Sequence, residues 1–158
     1  MKSRVATSIA LAAALLLTMT ACTFSAEIAT QKDYDPSDGV GTEVGELLVR
    51  NALLIGDDPE TLNLVMTIVN SSNSDRRLSV QWTSGGERIT EELTVNADGR
   101  TAFGGPNQDQ LLITGSTDVI GGLVPLFFSY GTNAGVELLV PVLDGSLPEY
   151  ELLVPSSG

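Results

Sequence analysis

An all-β fold, an antiparallel β-sandwich of seven or eight strands, is what this sequence predicts, on three observations. Apolar residues after position 45 recur at every second position in short runs, the period of a half-buried strand. Clusters of Gly, Asn, Asp and Ser separate those runs at regular intervals. No stretch after Cys22 sustains a helical apolar period for ten residues. Strands of this number over about 100 residues read as a sandwich of immunoglobulin-like or cupredoxin-like type.

Residues 1–21 precede that domain and read as an export signal. Lys2 and Arg4 form a positive start, and Ile9 to Leu17 is an unbroken apolar run of signal-peptide length. Thr18 and Thr20 interrupt it before the roughly 20 apolar residues that a spanning helix needs. The run ends in Met19-Thr20-Ala21-Cys22, which resembles the bacterial lipobox with Met19 at the usual leucine position. The resemblance implies a diacylglycerol thioether on Cys22, cleavage on its amino side and anchorage to the outer face of the cytoplasmic membrane. Two or three acyl chains hold firmly because each buried methylene contributes about 0.8 kcal/mol. Cys22 is the one cysteine, so an internal disulfide is impossible and lipidation accounts for the odd count. The alternative is a spectator thiol in a discarded peptide, with cleavage after Ala21 or Ala26.

Residues 22–44 have the composition of a tether, short of large apolar side chains. A flexible segment of about 20 residues spans roughly 25 Å. Asp33, Asp35, Asp38 and Gly39 imitate a calcium loop, but Asp38 and Val44 stand where that loop needs Gly and Glu.

The sandwich is expected over 45–143. Leu47 to Ile55 opens it. Leu62, Leu64, Met66 and Ile68 then alternate with Asn63, Val65, Thr67 and Val69. Leu78, Val80 and Trp82 alternate with Arg77, Ser79 and Gln81. Further strands are expected at Ile89 to Val95, Thr101 to Phe103, Leu111 to Thr114, Val124 to Tyr130 and Val136 to Val142. Turns fall at Asn70–Asp75, Gly85–Gly86, Asn96–Gly99, Gly121–Gly122 and Gly131–Asn133. Pro125 and Pro141 lack an amide donor and belong at strand edges or bulges. The extension 144–158 holds one more apolar cluster, Tyr150 to Val154, an edge strand or a docked tail.

Three stretches together resemble the periplasmic copper chaperone family of PCuAC type. They are Met66-Thr67-Ile68-Val69-Asn70 with the loop to Asp75-Arg76-Arg77-Leu78, Gly121-Gly122-Leu123-Val124-Pro125-Leu126 into Phe127-Phe128, and Ala134-Gly135-Val136 through Pro141-Val142. The resemblance implies a cupredoxin-like sandwich. It also implies a histidine and methionine cluster for copper, whose soft donors suit cuprous ion. This chain has no histidine. Once the signal is removed Met66 is its only methionine, and Gln108-Asp109-Gln110-Leu111-Leu112 stands where the family carries ligands. Copper binding is therefore not carried over, and no cofactor is expected. The chain resembles the branch found among actinobacterial lipoproteins, which keeps the fold and loses the ligands.

Charge and composition exclude several functions. Removing Lys2 and Arg4 from the eight basic residues leaves six against 20 acidic ones, a net charge of −14. Such a surface repels phosphates, so nucleic acid is excluded as a partner. Without histidine there is no ordinary base to activate a serine. Paired carboxylates at a fixed separation form no pattern; Glu91, on the apolar parity of its strand beside Glu92, reads as an edge or bulge residue. Asp57, Asp58 and Glu60 around Pro59 read as turn chemistry, or as hard ligands that favour calcium over copper. Trp82 is expected as a core anchor, with an exposed ligand platform as the alternative, and Phe127 as the better candidate for surface contact. The expected function is a lipid-anchored, non-enzymatic binding or scaffolding module with a partner in the envelope. The alternative is metal handling.

Overall fold

Alternation becomes architecture in β3 (Thr61–Asn70), where Leu62, Leu64, Met66 and Ile68 all point into the interior and are buried. Eight other strands join it: β1 (Val40–Val44), β2 (Leu47–Ile55), β4 (Arg76–Ser84), β5 (Glu87–Val95), β6 (Gly99–Phe103), β7 (Leu112–Thr114), β8 (Leu123–Ser129) and β9 (Val136–Leu143). This computed structural model describes residues 37–116 and 120–155. They belong to one of two units of the chain, Asp35–Gly158; the other, Met1–Tyr34, lies outside the described residues.

The strands run in the order β5-β4-β8-β9-β2-β3-β6, with β1 added to β2 and β7 to β3. This is a curled sheet whose halves face each other as a sandwich. One layer holds β1, β2, β3, β6 and β7; the other holds β5, β4, β8 and β9. Between the layers lie Leu54, Leu64, Ile68, Val80, Leu126, Phe128, Val140 and their neighbours, a continuous apolar core. Each large aliphatic or aromatic side chain so buried contributes about 1.5–3 kcal/mol relative to exposure.

The expected strands are present, and the all-β sandwich class holds. Three features differ from the sequence reading. A ninth strand, β1, occupies Val40–Val44 inside the stretch read as tether. It contains glycine, threonine and glutamate between its valines, so its propensity is poor, and pairing with β2 overrides it. The two layers are joined by a parallel contact, Leu54↔Val142 and Ile55↔Leu143, where antiparallel pairing was expected throughout. In β2 the inward residues are Leu47 and Val49, then Ala52 and Leu54, a break of phase by one residue. Asn51 supplies it with φ of 50°, and the register with β3 shifts between Arg50 and Leu53. A bulge of this kind puts one extra residue on one strand, and Asn tolerates the left-handed conformation better than most residues.

Pro125 and Pro141 lie inside β8 and β9, strands with neighbours on both sides. Each still meets the expectation of a local edge. The β4 ladder on β8 ends at Gln81↔Phe127, short of Pro125. The β2 bridge on β9 begins at Val142, just past Pro141. Where a strand is paired on one side only, a missing amide leaves no ladder acceptor orphaned.

The tail is a docked extension rather than an edge strand. A single 3₁₀ turn at Glu151–Leu153 follows Tyr150. Tyr150, Leu153 and Val154 pack on Leu53, Ile55, Val65 and Leu143, on the outer side of the β2–β3 layer, as a second small core.

Candidate functional site

The opposite outer face, that of the β4–β8–β9 layer, carries Leu123, Phe127 and Leu139, three of the six large hydrophobic residues exposed among the described residues. Its origin is the strand period: with Val124, Leu126 and Phe128 turned inward, Leu123, Pro125 and Phe127 must turn outward. On β9 the same rule presents Glu137, Leu139 and Pro141. Register then sets these residues side by side as Leu123↔Pro141, Pro125↔Leu139 and Phe127↔Glu137. Leu123 is 52% exposed, Leu139 51% and Phe127 37%. The Phe127 ring lies directly over Gly135, where an added Cβ would collide with it, so the ring rests on backbone. Beside it a shallow cleft of about 210 Å³ runs over Gln81 and Thr83, with Phe127 and Pro125 on one flank and Arg88 on the other.

The cleft offers apolar contact, one guanidinium from Arg88 and one carboxylate from Glu137. It holds no nucleophile with an adjacent base, the minimum for covalent catalysis. A second cavity of about 400 Å³ opens at the β4–β5 hairpin between Trp82, Ile113 and Val124, and is lined mainly by apolar and glycine residues. The hairpin turn itself needs its glycines, since Gly85 and Gly86 have φ of 57° and 87°.

The other singled-out residues separate clearly. Trp82 is a core anchor at 5% exposure, and its indole N–H donates to the Thr114 carbonyl at 3.2 Å. Phe127 is on the surface, as expected. Met66 is 2% exposed and packed in the core, so its sulfur is not offered to a ligand. Glu91 pairs with Val80 on the inward parity of β5, yet it is exposed because β5 ends the sheet. Glu92 stands 3.5 Å from Arg77.

The carboxylates near Pro59 serve turns. Asp57 accepts the Gly145 amide at 3.0 Å, and Asp58 accepts the Glu60 amide at 2.9 Å. Asp144 accepts both the Ser146 hydroxyl and its amide, which lowers its pKa below the usual carboxylate value. Among the described residues no group of three His, Cys, Asp or Glu is placed to hold a metal ion. The stretch Gln108–Leu112 follows the turn at Pro106 and Asn107 and leads into β7: Gln108 accepts the Gly105 amide at 3.1 Å, and the carbonyls of Asp109 and Leu111 accept the amides of Gly104 and Leu64. Its side chains are amides, one carboxylate and leucines, a set without the softness that cuprous ion selects.

Two polar features were not legible in the sequence. At one end of the sandwich Arg76 pairs with Glu46 at 3.0 Å and lies 5.9 Å over the Tyr130 ring. Near the tail, Asn63 is fully buried and donates to the carbonyls of Gly104 and Leu153, both at 2.8 Å. Only an asparagine on the outward parity of β3 could have signalled the second. Met19, Thr20, Ala21 and Cys22 lie outside the described residues. Among the described residues no helix is long and apolar enough to cross a membrane.

Compared by sequence, the chain matches no protein-family model and no curated relative. Compared by structure, it is similar to the copper-bound PCuAC domain from PmoF2, with a TM-score of 0.51 and 14% identity over 66% of this chain and 97% of that one. The apo PCuAC domain of PmoF2 gives 0.51 and 15%, over 68% and 97%. The apo PCuAC domain from PmoF1 gives 0.53 and 12%, over 65% and 97%. The fold is that of the PCuAC domain. At such identity the likeness speaks for the backbone and leaves the ligands of each chain to its own residues. The PCuAC fold here carries a buried methionine and no histidine.

Proposed function

We propose that this chain is an exported lipoprotein, held by acyl chains on Cys22 at the outer face of the cytoplasmic membrane, that presents a PCuAC-fold sandwich as a non-enzymatic binding module. The observation that carries the reading is the row of Leu123, Pro125, Phe127 and Leu139, rigidly paired across β8 and β9 and left open. The ladder already fixes the backbone that presents this row, so contact has only side-chain rotamers left to order. An envelope protein is the partner this supports. Intact-mass measurement of the membrane-extracted protein tests the anchor: an acylated chain starting at Cys22 is expected, and an unmodified polypeptide in the culture supernatant refutes it. Proximity labelling on intact cells tests the module, with Phe127→Asp as the control that should lose the labelled partner.

A second reading, metal handling, has its own support: one neighbouring structure is described as copper-bound, and the comparisons favour this reading over scaffolding. The residues present do not fit cuprous ion, because the donors near Gln108–Leu112 are hard and Met66 is closed in the core. Calorimetric titration with cuprous, cupric and calcium ions separates the readings. Flat traces support the binding module, and a stoichiometric copper isotherm replaces it with metal handling.

A further inference from the structure

The place where the N-terminal segment enters the sandwich is tied to the far end of the chain. Asp38 precedes β1, and its carboxylate accepts the Tyr150 hydroxyl. Tyr150 is 9% exposed. One residue on, the Gly39 amide donates to Asn51 Oδ1 at 3.0 Å, on the β2 bulge. Gly39 also lies so close to this strand that a Cβ there would be 2.6 Å from the Asn51 carbonyl carbon.

The tail that brings Tyr150 is itself fastened to three parts of the body. Gly145 donates to Asp57 at 3.0 Å in the β2–β3 turn. The Leu153 carbonyl accepts the buried Asn63 amide at 2.8 Å on β3. Tyr150, Leu153 and Val154 cover Leu53 and Ile55 of β2.

We infer that residues 144–155 act as a clamp on the N-terminal lead, carrying load from the membrane anchor into β2 and β3 before it reaches β1. The inference rests on the anchored reading above. Its physical basis is the direction of loading. Among the described residues β1 forms its ladder with β2 alone, and its first pair is Val40↔Ala52. An antiparallel pair pulled from one strand's start opens like a zipper, each pair bearing the load in turn, and a single hydrogen bond contributes only about 1 kcal/mol net. The Asp38–Tyr150 bond lies ahead of that first pair and takes the load first. It passes the load to a tail seated on two internal strands, which must lose apolar burial before they yield.

Hydrogen exchange on the full mature chain tests the clamp, with Tyr150→Phe removing only the hydroxyl and Asp38→Asn keeping an acceptor oxygen. Tyr150→Phe is expected to speed exchange of the Val40–Val44 amides about tenfold, while the amides of β4 and β8 keep the wild-type rate. Asp38→Asn should give a smaller change in the same strand. Unchanged exchange in β1, or acceleration shared equally with β4 and β8, overturns the inference. Because the readout is the same with or without acyl chains, a missing anchor found by mass leaves this result standing, and a failed clamp leaves the anchor untouched.

Discussion

Raising the pH should release Tyr150 from Asp38 and cost the fold stability in a defined window. The hydroxyl donates to the Asp38 carboxylate, and burial and the charges of Asp38 and Glu149 add to that bond, so ionisation is pushed from 10.0 up to about 12. The protonated form is the one the fold stabilises. Its contribution is therefore complete below the unfolded value near 10 and is lost as pH rises through about 12. A displacement of about two pH units corresponds to at most ~2.7 kcal/mol at 1.36 kcal/mol per unit. Asp38 is exposed, so screening by water reduces the contribution to the order of 1–2 kcal/mol. The assay is tyrosinate absorbance against pH, read across the three tyrosines of the chain. One is expected to titrate about two pH units above an ordinary tyrosine, and Tyr150→Phe should abolish that late component. A single common midpoint near 10, or a late component that survives in Tyr150→Phe, would refute the reasoning.

Adjacent phenylalanines give a sharper test of the strand alternation. Phe128→Ala empties a fully buried position and should cost ~3–5 kcal/mol in urea denaturation, whereas Phe127→Ala should cost about 1 kcal/mol or less. Gly86 has φ of 87° and open space around it, so Gly86→Ala should lose ~1–2 kcal/mol from backbone strain alone, visible as a lower urea midpoint. Asn63→Ala strands the carbonyls of Gly104 and Leu153 and should lose ~2 kcal/mol, accompanied by faster exchange in the tail. Arg76→Ala should lower stability in urea denaturation by less than ~1 kcal/mol, because its pair with Glu46 is partly open to water.

Most of the sandwich was legible because its strands keep strict alternation. In β4 and β8 inward and outward residues alternate without a break, and in β3 burial departs from that pattern only at Asn63. Trp82, Met66 and Phe127 were assigned correctly for the same reason: parity alone places a side chain inside or outside. Two regions escaped this rule. Residues 40–44 have no such pattern, since β1 is held by its partner rather than by its composition. The bulge at Asn51 was hidden in β2 because the run Ala52-Leu53-Leu54-Ile55 is apolar on both parities and carries no alternation from which a phase could be read. Both faces of that run are buried, Ala52 and Leu54 in the main core and Leu53 and Ile55 under the tail.

The sequence by itself determined the local facts for the strands that keep a clear alternation: their extent, which of their side chains point inward, where the turns between them fall, and that soft copper donors are lacking. All of these follow from side-chain chemistry and a period of two, which act between neighbours along the chain. Only the tertiary structure decided that β9 meets β2 in parallel, that Leu123 lies beside Pro141, and that Tyr150 reaches Asp38 from 112 positions away. Those pairings depend on how the two layers stack and where the tail finds uncovered apolar surface. Contacts between distant segments are selected by the shape of the whole core, and no short window of residues contains that information.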